Sequence, residues 1–96
     1  MKPIEAVLAA EEAKWRAKPY GEIETNLGTV QSYEIALDDV SYQIEIHSRK
    51  GKKQNEIIVM VEVSKNTLLG SFFGRAKYFM ASKESGVREI ENDEAF

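Results

Sequence analysis

Residues 40–63 read VSYQIEIHSRKGKKQNEIIVMVEV, and this stretch decides the fold. In its first third, Val40, Tyr42, Ile44 and Ile46 alternate with Ser41, Gln43, Glu45 and His47. Strict alternation is the mark of a strand with one face buried. In its last third, Ile57, Val59, Val61 and Val63 form one face, with Ile58, Met60 and Glu62 on the other. That run is apolar on both faces for most of its length, as in a strand covered on two sides. Between the two lies RKGKKQ, with four of the chain's thirteen basic residues and a central glycine. The reading is a hairpin with a basic tip.

Apolar cross-strand pairs set the register of a hairpin. Ile46 opposite Ile57, Ile44 opposite Val59, Tyr42 opposite Val61 and Val40 opposite Val63 gives four such pairs. The other face then pairs His47 with Glu56, Glu45 with Ile58, Gln43 with Met60 and Ser41 with Glu62.

Upstream, residues 30–37 alternate with Tyr33, Ile35 and Leu37 on one face, and Asp38-Asp39 supplies a turn. A short run over 22–25, set between Gly21 and the Asn26-Leu27-Gly28 turn, reads as a further strand. The N-terminus differs. Ile4, Val7, Leu8, Glu11 and Trp15 recur at helical spacing, Pro3 suits a first turn, and Pro19 blocks continuation. A helix over 3–17 follows.

Downstream, NTLLGSFFGRAKYFMAS (66–82) fits a helical face through Leu68, Leu69, Phe72, Phe73, Ala76, Phe79 and Met80. Gly70 and Gly74 oppose it, each costing about 1 kcal/mol inside a helix. A strand over 71–81, a turn at 83–86 and an edge strand over 87–91 is the favoured reading. The acidic tail at 91–96 is expected to fray. The predicted fold class is α+β: an N-terminal helix packed on a curved antiparallel meander sheet of about five strands. Residues 1–96 fit one small domain, without repeat or linker.

Composition bounds function loosely. The chain has net charge -3 and no cysteine. Disulfides, thiolate metal sites and a cysteine nucleophile are excluded. Cysteine-free composition leans towards a reducing setting, so a cytoplasmic location is expected. Residues 7–10 are the longest uninterrupted apolar run near the N-terminus, too short for a signal peptide. No stretch approaches the roughly 20 apolar residues of a membrane span. No nucleophile elbow, P-loop or dinucleotide fingerprint occurs. His47, the single histidine, reads as a polar partner of Glu45 and Glu56 on the solvent side of a sheet. No catalytic residue, cofactor or metal site is expected.

Two surfaces remain as candidates. The first is apolar: Ile58 and Met60 on the second face of their strand, with Leu68, Leu69, Phe72 and Phe73. One helix shields one face of a sheet, so the other needs cover from the chain or from a partner. This favours a non-catalytic binding or regulatory module that self-associates or binds a protein, a homodimer being the default. The alternative is a phosphate- or nucleic-acid-binding domain using Arg49, Lys50, Lys52 and Lys53, joined by Arg75 and Lys77. A small-molecule pocket between helix and sheet ranks third.

Overall fold

The computed structural model describes residues 3–66 and 72–90, with side chains described for 3–65 and 74–90. Helices α1 (Pro3–Arg16) and α2 (Tyr20–Thr25) precede five strands. These are β1 (Gln31–Leu37), β2 (Val40–Lys50), β3 (Glu56–Asn66), β4 (Phe72–Ser82) and β5 (Gly86–Ile90). The strands form one antiparallel sheet in the order β1-β2-β3-β4-β5, a meander in which each strand pairs with its neighbour in sequence. Helix plus antiparallel sheet makes the fold α+β. Among the described residues, no helix is long and apolar enough to cross a membrane.

The core lies between the helices and one face of the sheet. Ile4, Val7, Leu8 and Trp15 of α1 join Tyr42, Ile44, Ile46, Val59, Val61 and Val63 in one buried cluster, as the periodicities require. Ile23 of α2, Ile57 of β3, and Phe79 and Ala81 of β4 complete it. The β1–β2 connection is two residues, Asp38 and Asp39, both with positive φ (51° and 63°). That is the turn whose twist matches the twist of the strands it joins.

Three expectations are corrected. The run at 22–25 is not a strand; it lies in α2. Pro19 sits at its N-cap with φ -62° and ψ 150°, a fixed geometry that suits helix entry. Thr25 Oγ1 and Asn26 Nδ2 donate to the carbonyls of Gly21 and Glu22 at 2.8 and 3.0 Å. A four-residue window holds one apolar residue, Ile23, which either period can bury.

The second correction is the β2–β3 register. The strands slide by four positions, so Ile46 faces Val61 and Ile44 faces Val63. Both registers keep the same faces, but the observed one sets Ser48 opposite Val59 and Lys50 opposite Ile57, so apolar cross-strand pairing does not select it. The turn does. Strand β2 runs on through Lys50, which leaves only 51–55 as the loop. Gly51 N–H donates to the Glu56 carbonyl at 2.8 Å, and Asn55 takes φ 63°. A Cβ at residue 51 would lie 2.9 Å from the Glu56 Cβ, so only glycine closes this turn without displacement.

The third concerns boundaries. Residues 71–81 and 87–91 read as strands; among the described residues β4 runs on to Ser82 and β5 starts at Gly86 (φ 82°), which closes the turn between them, while residues 71 and 91 lie outside the described residues. The strand reading of this segment holds from Phe72 onward. Leu68, Leu69 and the tail at 91–96 lie outside the described residues.

Candidate functional site

The register places four rows of side chains across the second face of the sheet, the face turned away from the helices. Glu34, Gln43, Ser64 and Gly74 form the first. Ser32, Glu45, Glu62 and Ala76 form the second. His47, Met60, Tyr78 and Ile90 form the third, and Arg49, Ile58, Met80 and Arg88 the fourth. Successive rows are two residues apart along the strands, about 6.6 Å. The face is therefore acidic on one side, apolar in the centre and basic on the other side.

The apolar centre has its own small core. Ile58, Met80 and Ile90 are buried together and Tyr78 packs against them, all from β3, β4 and β5. Ile58 is only 5% exposed, so of the expected contact residues it contributes buried packing. Met60 and Tyr78 are half-buried and supply the accessible apolar surface. Phe72 and Phe73 enter β4 opposite Asn66 and Lys65; their side chains, like all of Leu68 and Leu69, lie outside what is described.

The basic tip is exposed, as expected. Arg49, Lys50, Lys52 and Lys53 all face solvent. The tip is nevertheless laced with acid: Lys53 N–H donates to Glu56 Oε1 at 3.3 Å. Asn55 donates from Nδ2 to Glu84 Oε1 at 3.0 Å, and its carbonyl accepts from Lys83 N–H at 3.1 Å. These contacts dock the tip on the β4–β5 turn. Arg75 and Lys77 do not join it. They lie opposite Val63 and Val61, several residues along β4 from the tip, and Lys77 Nζ pairs with Glu89 Oε1 at 3.4 Å.

The slide in register also changes the company of His47. It pairs across with Met60, not Glu56, and Glu45 comes to stand opposite Glu62. His47 Nε2 lies 3.0 Å from Glu45 Oε1. One ligand atom from each of Glu45, His47 and Glu62 falls within 4.8 Å of the others.

Two carboxylates on the buried side of α1 complete the polar inventory. Glu11 is 6% exposed and accepts from the Tyr33 hydroxyl and from Lys14 Nζ. The same hydroxyl oxygen accepts from Trp15 Nε1 at 3.2 Å. Burial, reinforced by the hydrogen bond to Glu11, raises the Tyr33 phenol above its ordinary range. Glu12 is 7% exposed, and its Oε2 has no hydrogen-bond partner. Burial raises its pKa, Glu89 adds to the rise, and Lys77 and Arg16 oppose it. A carboxylate on the apolar stripe is the available signal for Glu11, since a buried charge needs partners; Glu12 lies outside the stripe read from the sequence.

Glu12 yields a pH prediction. The folded state holds the Glu12 proton more tightly than the unfolded chain. Its stability contribution is therefore complete below the ordinary value near 4.5 and is lost as pH rises through the raised folded value. Glu12→Met, which removes the orphaned oxygen, should stabilise the protein at pH 7 by about 1 kcal/mol. Urea titrations at pH 7 and pH 4 check this: the gain should shrink at the lower pH.

No protein-family model, curated protein or solved structure matches this chain.

Proposed function

We propose that the protein is a non-catalytic binding module that pairs with a second copy of itself through the second face of the sheet. The observation that supports this is the order of the rows: Glu45 and Glu62, then Met60 and Tyr78, then Arg49 and Arg88. A twofold axis lying in the face, across the strands and through the Met60–Tyr78 row, lays the row of Glu45 and Glu62 in one copy over the row of Arg49 and Ile58 in the other. Met60 and Tyr78 then meet their own counterparts, and Glu45 faces the partner's Arg49. Such self-complementarity is what an isologous interface requires. Apolar packing supplies the affinity, and the flanking charges fix the orientation.

The test is mass in solution by light scattering, over a concentration series and at low and high salt. The wild type should approach twice the monomer mass of 10.9 kDa. Tyr78→Asp and Met60→Asp should remain near the monomer mass with unchanged far-UV circular dichroism. A wild type that stays monomeric at every concentration, or a Tyr78→Asp variant that pairs as well as wild type, contradicts the proposal.

The basic tip supports a second, weaker reading as an anion site, because Arg49, Lys50, Lys52 and Lys53 are exposed together. Glu56 already occupies the Lys53 amide, which counts against it. Oligonucleotide binding that falls steeply with salt and is lost in a Lys52→Glu/Lys53→Glu variant would favour that reading. Against a pocket between helix and sheet stands the burial of Ile4, Val7, Leu8 and Trp15 in the shared core.

A further inference from the structure

We infer that Glu45, His47 and Glu62 form a binding site for a divalent first-row transition ion, with zinc the best match. The three side chains project from one face of two adjacent strands. Glu45 and His47 are two residues apart on β2, and Glu62 lies directly opposite Glu45 on β3. Their backbones are fixed from behind by the buried Ile44, Ile46, Val61 and Val63. The His47 Nε2–Glu45 Oε1 distance is 3.0 Å, and the three ligand atoms lie within 4.8 Å of one another. A tetrahedral zinc with donors at about 2.1 Å needs them roughly 3.4 Å apart. Half-exposed side chains reach that spacing by rotamer adjustment, and the exposed side leaves a position for water.

The donor set selects the ion. Magnesium and calcium prefer six or more oxygens, whereas imidazole with carboxylates suits zinc and its neighbours. The charge arrangement supplies an independent reason. Like charges directly opposite on a sheet destabilise it. The neighbouring positions on this face carry Ser32, Glu34, Gln43, Met60, Ser64, Ala76 and Tyr78. None of these is a lysine or arginine, so among its ladder neighbours the Glu45–Glu62 pair has only His47 to balance it. A bound dication turns that repulsion into attraction.

The three ligands come from one chain, so the site does not need the pairing proposed above, which instead sets the partner's Arg49 against Glu45 and would compete with the ion for it. His47 is the single histidine, so its ring proton resonances report on the site without ambiguity. Zinc chloride titrated into the intact protein should move those resonances saturably, with one ion per chain by calorimetry. Glu62→Gln, close to isosteric, should weaken binding by at least about tenfold, and His47→Gln should abolish it. Ring resonances that do not move with zinc, or that move with the same affinity in Glu62→Gln, would overturn the inference.

Discussion

Phe79→Ala is expected to cost about 3–5 kcal/mol of stability, the usual penalty for emptying a buried phenylalanine site. Phe79 is fully buried. It sits on β4 between Val59 and Glu89 and belongs to the cluster that joins both helices to the sheet. Helix α1 contacts β3 and β4, so the cavity would open beneath it, where no neighbour from β5 can collapse inward: Val87 and Glu89 are both exposed. For a domain of this size the loss corresponds to a fall in Tm of about 12 °C or more. Thermal unfolding followed by circular dichroism gives the number. A fall of less than about 5 °C would mean that Phe79 is not central to the packing.

The second large effect should come from one oxygen. Tyr33→Phe removes the hydroxyl that donates to the Glu11 carboxylate and accepts from Trp15 Nε1. Glu11 would keep only the longer contact from Lys14 Nζ at 3.4 Å, and the indole N–H would lose its partner. A hydrogen bond to a buried charge is worth about 1.5–3 kcal/mol, and an orphaned donor adds to the loss. A destabilisation of about 2–3 kcal/mol is expected in urea. Trp15 is the single tryptophan, so its fluorescence follows the same unfolding directly. A variant within 0.5 kcal/mol of wild type, on the scale of ordinary surface changes, would show that the network does not anchor α1 to β1.

The helix, the meander and the composition of the core were legible because each rests on a period repeated many times. Ile4, Val7, Leu8 and Trp15 mark α1, and the alternations around Ile44 and Val61 mark β2 and β3. What escaped depends on geometry that patterning does not encode. Helix α2 is six residues with one buried side chain, so its period is not defined by so short a window. The four-residue slide of β3 against β2 preserves both faces, so the alternation identifies the core but not the cross-strand partners. That slide brings Glu62 opposite Glu45 and sets Arg49 beside Ile58. The Glu11–Tyr33–Trp15 network joins residues 18 and 22 positions apart, and only the unexpected carboxylate on the apolar stripe hinted at it.

Both the pairing face and the ion site rest on the β2–β3 register, and a nuclear Overhauser spectrum reads it directly. Gly51 N–H donates to the carbonyl of Glu56, its opposite residue. Hydrogen-bonded and non-hydrogen-bonded pairs alternate along an antiparallel ladder from that point. Ile46–Val61 and Ile44–Val63 are then non-hydrogen-bonded pairs, with Cα atoms about 4.5 Å apart. Strong Hα–Hα contacts are predicted between Ile46 and Val61 and between Ile44 and Val63. Contacts from Ile46 to Ile57 and from Ile44 to Val59 would contradict the register, separate Glu45 from Glu62, and remove the basis of both proposals.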